Sequence, residues 1–109
     1  MCIFCKIIEG SIPCQKLYED EEVLAFHDVS PQGPVHFLVI PKRHIPHILE
    51  AEQDILGNLL FRAQKIAGAL GCAEKGARFV INCKADGGQT VDHLHIHVIG
   101  GRPLSWPPG

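Results

Sequence analysis

The stretch His93-Leu94-His95-Ile96-His97-Val98-Ile99 decides the fold. Strict alternation of polar and apolar residues marks a half-buried β-strand, whose successive side chains point to opposite faces. A strand over His93 to Ile99 therefore presents His93, His95 and His97 on one face and Leu94, Ile96 and Val98 to the core. Residues i and i+4 of a strand lie about 13 Å apart, whereas zinc ligands each sit within ~2.1 Å of the ion. One metal cannot easily take all three imidazoles, although two could share one. A merely exposed polar face would be served as well by Thr, Lys or Glu. Clustered imidazoles suit phosphoryl or nucleotidyl transfer near neutral pH. An unperturbed His titrates at about 6.5, and mutual repulsion keeps one ring neutral and nucleophilic while another donates.

Working outward, Asp86-Gly87-Gly88-Gln89-Thr90 supplies small residues, backbone N–H groups and a hydroxyl directly before the histidines. From such material a phosphate cradle is built, although a Gly pair alone is more often just a turn. Arg78 to Cys83 reads as a strand and Lys84 to Gln89 as a loop. From Asp54 to Leu70 the residues Ile55, Leu56, Leu59, Leu60, Ala63, Ile66, Ala67 and Leu70 follow helical spacing, with Gly71 placed for a left-handed C-cap. Val35 to Ile40 is dense in β-formers and reads as a buried central strand before Pro41. Lys16 to Asp20 and Val23 to Val29 form a hairpin around the acidic cluster Glu19 to Glu22, and a short helical turn is expected near Phe4 to Ile8. The Gly- and Pro-rich tail from Gly100 resists regular structure. Five strands, one long and one short helix make an α+β domain with a mainly antiparallel sheet.

With 109 residues, 46% of them apolar, and no linker or repeat, residues 1–109 are expected to form one domain. A formal charge of −2 argues against holding a nucleic acid or an anionic membrane by bulk positive charge, so an anionic ligand must be held locally. No apolar stretch approaches the ~20 residues of a bilayer span, and Lys6 and Glu9 interrupt any signal-peptide core, which implies a soluble, cytoplasmic protein. The five cysteines are odd in number and read as thiols rather than a disulfide framework. Cys2 and Cys5 have the spacing of a zinc half-site, with the other half not fixed by spacing.

The run His93 to Ile99 matches at every position the motif of the histidine-triad family, His-apolar-His-apolar-His-apolar-apolar. The segments LAFHDVSPQGPVHFLVIPKRHI (Leu24 to Ile45), DGGQTVDHLHIHVIGGR (Asp86 to Arg102) and WPPG (Trp106 to Gly109) resemble its Hint branch, the nucleoside phosphoramidases. The resemblance extends in order over nearly the whole chain. It implies a two-fold homodimer with a continuous sheet and a tail, residues 100–109, that reaches the partner. The implied reaction is hydrolysis of the P–N bond of purine nucleoside 5′-phosphoramidates through a nucleotidyl-histidine intermediate. A dinucleoside polyphosphate hydrolase of the same superfamily and a nucleotide-binding or scaffolding module with incidental hydrolysis stand as alternatives.

Carried over residue by residue, the resemblance makes His95 the nucleophile, places His97 at the phosphate, lets His93 position the nucleophile, and gives His36 a supporting role in its proton traffic. Asp28 corresponds to the carboxylate that accepts from ribose hydroxyls, with Val29 and His27 beside it. Phe4, Ile7, Ile12 and Phe26 correspond to the purine slot, and Asn82, Gln89 and Thr90 to polar residues around phosphate and leaving group. Trp106 lies in the tail that reaches the partner's site. Without the family, His36 and the apolar residues would read as core and Asp28 as a turn residue. Some members of the wider family carry zinc on residues matching Cys2, Cys5, His44 and His93. Such an ion would be structural, with no cofactor required for catalysis. Thr90 stands where many members have Ser, and Asp92 where an aromatic residue is common, placing a carboxylate next to the triad. Pro103-Leu104-Ser105 precedes Trp106, which leaves the leaving-group preference open. His47, Cys14, Cys72 and Cys83 receive no function.

Overall fold

Polar residues at Asp20 and in the turn that follows it set the first hairpin: Asp20 Oδ1 accepts from the Glu22 and Val23 amides, each at 2.8 Å. The computed structural model describes residues 1–109. It contains α1 (Ile3–Glu9), β1 (Lys16–Glu19), β2 (Val23–His27), β3 (Val35–Pro41), a tight helical turn at Ile48–Glu50, α2 (Gln53–Ala67), β4 (Ala77–Val80), a one-turn α3 (Lys84–Gly87) and β5 (Ile96–Gly100). The strands form one antiparallel five-stranded sheet in the order β1-β2-β3-β5-β4, an α+β arrangement. No helix is long and apolar enough to cross a membrane.

The sheet is covered on both faces, which explains why β2 and β3 read as continuous apolar runs rather than alternating ones. On one face Val23, Ala25, Phe37, Val39, Leu94, Ile96 and Val98 pack with Ile55, Leu59, Ala63, Ile66 and Ala67 of α2. On the other Leu24, Phe26, Leu38 and Ile40 pack with Phe4 of α1. Each Val, Leu, Ile or Phe among them contributes about 1.5–3 kcal/mol when fully buried. β3 lies at the centre of the sheet, as its composition predicts, and period 2 puts His36 and His97 on the face covered by α1.

Several boundaries differ from the sequence reading. The last strand begins at Ile96 rather than His93, because its partner ends at Pro41, which has no amide hydrogen. The His93 and Leu94 amides turn instead to the carbonyls of Val91 (2.8 Å) and Ile45 (2.7 Å). The fourth strand stops at Val80, and part of the expected loop from Lys84 forms a helical turn closed by left-handed Gly88. The long helix runs on past Ala67 through a wider turn, Gly68–Cys72, that ends around Gly71 at φ +91°. Leu60, expected inward, is exposed with Phe61 and Phe79 on the side of β4, the strand at the sheet edge.

Gly100, expected to open an irregular tail, is the last residue of β5 and is buried. Gly101 follows at φ +86°, where a Cβ would lie 2.8 Å from Pro34 Cβ. Gly101→Ala is therefore expected to lower stability by about 1–3 kcal/mol, read as a shift in urea midpoint with unchanged slope.

Candidate functional site

Four histidines converge on the α1 face of the sheet; backbone groups fix the proton on three of them and the His36 ring fixes it on His97. His93 Nε2 donates to the Pro41 carbonyl at 2.8 Å, so its Nδ1 carries a lone pair. His95 Nδ1 donates to the His93 carbonyl at 2.6 Å, which leaves the lone pair on His95 Nε2. The Gln32 amide donates to His36 Nδ1 at 3.0 Å, so the His36 proton sits on Nε2. That N–H donates to His97 Nδ1 at 3.0 Å, and His97 is left with its proton on Nε2. The site thus offers a bare Nε2 on His95 beside an Nε2–H on His97, with ring centroids 4.9 Å apart.

Burial favours the neutral form of the three triad rings, His93, His95 and His97. It lowers the pKa of His95, opposed by its bond to the His93 carbonyl and by the Asp28 carboxylate. Burial and then the neighbouring His95 and His36 push His97 down to about 4. His93 is also lowered, by burial first. The carboxylate facing the site is Asp28, whose Oδ2 lies 3.4 Å from His36 Nε2 while Oδ1 accepts from the Ser30 amide at 2.8 Å. Asp92, although next to the triad in sequence, sits with Met1, Cys2, Cys5 and His44 around a separate surface depression.

Phe4 stands edge-to-face against His95 (centroids 5.1 Å) and Phe26 (5.7 Å), giving an aromatic wall beside the nucleophile position. Ile7 packs on the same cluster, and Ile12, His27 and Asn82 are half-buried. Val29 and Thr90 are exposed, as is Trp106, whose segment is anchored by Arg78 to the Ser105 carbonyl at 2.7 Å. Gln89 is engaged elsewhere: Oε1 accepts from the Lys84 amide at 2.8 Å and Nε2 donates to the carbonyls of Pro46 (2.7 Å) and Val91 (2.9 Å). Its side chain staples the segment before the triad. Sequence reasoning missed this staple, because no motif distinguishes an amide spent on backbone from one spent on ligand. His47 Nε2 lies 3.1 Å from Glu50 Oε2 in the helical turn, Cys72 belongs to the core, and Cys14 packs at the edge of the Phe4 cluster.

Beside the triad, Cys2 Sγ, Cys5 Sγ, His44 Nδ1 and His93 Nδ1 form a compact tetrad. All six separations among them fall between 3.2 and 3.7 Å. Bond lengths of ~2.3 Å to sulfur and ~2.0–2.1 Å to nitrogen give tetrahedral edges of about 3.3–3.8 Å. The donors fit a closed zinc site, and the tautomer fixed by Pro41 aims the lone pair of His93 into it.

Residues 9–104 match the HIT domain family. An uncharacterized HIT-like protein of Synechococcus elongatus is 56% identical over 98% of this chain and 96% of its own length. The crystal structure of a HIT family hydrolase from Legionella pneumophila superposes over the whole of both chains at 48% identity with a TM-score of 0.96. That of a histidine triad nucleotide-binding protein from Candida albicans, 33% identical, covers 98% of this chain and 83% of the other with a TM-score of 0.87. Matching sequence, matching topology and a cluster of fixed-tautomer histidines converge on one conclusion: this chain belongs to the HIT family.

Proposed function

We propose that the protein hydrolyses the P–N bond of purine nucleoside 5′-phosphoramidates, with residues 1–109 acting as one HIT domain. The observation that carries the reading is the bare His95 Nε2 placed beside the protonated His97 Nε2. His95 Nε2 attacks the α-phosphorus from its lone pair. The P–N bond breaks, its electron pair leaves with the amine nitrogen, and that nitrogen takes the proton of His97 Nε2. The negative charge left on His97 is balanced by the positive charge that nucleotidylation gives His95, and is shared with the His36 Nε2–H at its Nδ1. Water then attacks the phosphorus of the nucleotidyl-His95, gives a proton to His97 Nε2, and frees His95 and the nucleoside monophosphate. His36 holds His97 in the donating tautomer, and backbone and imidazole donors around the phosphate stabilise the developing charge.

In this reading Phe4, Phe26, Ile7 and Ile12 receive the purine, and Asp28, flanked by Val29 and His27, receives the ribose hydroxyls. Asn82 and Thr90 serve the phosphate and leaving group, with Gln89 acting through the loop it staples. Cys2, Cys5, His44 and His93 would hold zinc, which supplies a closed structural cross-link when bound. Two copies pair through the open edge of β4 and the exposed Leu60, Phe61 and Phe79, with the Trp106 tail reaching the partner's site. The opposite edge, β1, is blunted by Lys16 and Lys42 paired with Glu19. Five free cysteines suit a reducing, cytoplasmic setting.

Steady-state assay of adenosine 5′-phosphoramidate against diadenosine polyphosphates tests the reading, with kcat/KM expected to favour the phosphoramidate by at least about tenfold. The reverse order would assign a dinucleoside polyphosphate hydrolase, and nucleotide binding without turnover a binding module.

A further inference from the structure

We propose that the Cys2–Cys5–His44–His93 tetrad is a positioning device for the nucleophile, acting through Phe4 and through the backbone of His93. The inference rests on His95 being the nucleophile, as proposed above, and it goes beyond a structural cross-link.

Two physical connections lead from the tetrad to the His95 ring. The first is direct. His93 gives Nδ1 to the tetrad, and its carbonyl accepts the bond from His95 Nδ1 at 2.6 Å that sets the His95 tautomer. The second runs through α1. Phe4 lies in the chain between the two cysteines, is the one buried residue of that helix, and meets His95 edge-to-face at 5.1 Å and His93 at 5.8 Å. A seven-residue helix does not persist on its own propensity and depends on what ties it down. What ties it here is the packing of Phe4 and the pair of thiols that bracket it.

The four donors come from three places in the chain: the N-terminal segment, the connection after β3 and the segment before β5. Thiols and imidazoles hold one another only weakly, since a thiol is a poor donor and the His93 nitrogen in the tetrad bears no proton. By holding a divalent zinc-class cation, Cys2, Cys5, His44 and His93 would join the three segments into one unit. The Phe4 wall and the His93 carbonyl are then fixed together, and the His95 lone pair keeps its direction toward phosphorus. A misplacement of about 1 Å at such a group is enough to cost on the order of 10²-fold in rate.

The test compares full-length protein loaded with Zn²⁺ and the same protein stripped by chelation, together with Cys5→Ser, Phe4→Leu and the double variant. Hydrogen exchange over residues 3–9, the ring ¹⁵N shifts of His95, and the single-turnover rate of His95 nucleotidylation at saturating adenosine 5′-phosphoramidate are read in each. Stripping is expected to weaken protection over residues 3–9 by at least about tenfold, to move the His95 ring away from its Nδ1–H signature, and to slow nucleotidylation about tenfold. Phe4→Leu should reproduce most of the slowing in loaded protein, and Cys5→Ser should add little to it in the double variant. Unchanged exchange and an unchanged His95 signature on stripping overturn the proposal, as does a protein that takes up no Zn²⁺, or fully additive losses in the double variant. If wild-type protein turns over no phosphoramidate, the proposed function fails instead, and exchange and ring shifts still decide the positioning role.

Discussion

His95→Ala is expected to lower phosphoramidate hydrolysis by on the order of 10⁴-fold or more and to abolish the nucleotidylated protein seen by mass spectrometry in quenched reactions. The size follows from what is lost. No other imidazole of the cluster offers a bare Nε2, because His36, His93 and His97 each carry their proton on that nitrogen. Burial keeps His95 uncharged below the usual histidine range, so the nucleophile is available through neutral pH without a base to activate it. Nucleotide binding should persist, since the purine and ribose positions are supplied by other residues. Retained turnover, or an adduct mapped to another residue, would remove His95 from the role.

His97→Gln should slow hydrolysis of an amine-leaving substrate by about 10²–10⁴-fold, and much less for a leaving group such as p-nitrophenolate that departs without a proton. The contrast between the two substrates is the diagnostic result, because a packing defect would slow both alike. A second readout is stability against pH. His97 titrates at about 4 in the folded chain because of burial and the neighbouring His95 and His36, against about 6.5 when unfolded. The unfolded chain therefore takes up its proton first. The contribution to stability is full above pH ~6.5, falls as pH drops through that value and levels below about 4. In His97→Gln the fall across this window should be shallower, measured by denaturant midpoints at successive pH values. An equal fall in both proteins would place the proton elsewhere.

The sequence carried the strands, the long helix and the face on which His97 stands, because period 2 and period 3.6 depend on local spacing alone; His93 and His95 precede β5 and reach the site outside any strand. It carried the central place of β3 through the density of Val35 to Ile40, and the left-handed turn at Gly71. Boundaries set by a partner were not legible. The late start of β5 depends on where Pro41 falls opposite it, and the outward turn of Leu60 on which side of α2 meets the sheet. In the site, residue types were legible from the triad and its resemblance, whereas protonation was not. The proton positions are set by Pro41, His93 and Gln32 through backbone atoms rather than side chains. Asp92 looked like the triad's carboxylate from adjacency in the chain, and Asp28 fills that place through the fold.

That dependence on backbone atoms has a consequence for how the site tolerates change. Two carbonyls and one amide form the frame for the proton inventory, and carbonyls survive every substitution. Side chains at 32 and 41 can drift without editing which nitrogen is armed, provided the chain path is kept. Gln32 alone is exposed to a one-residue edit of the frame, since proline at 32 would delete the donor to His36 Nδ1 and free that ring to flip its tautomer. A scan by alanine would leave the Pro41 carbonyl and the Gln32 amide in place, and at those two positions the wiring of the site would stay invisible to it.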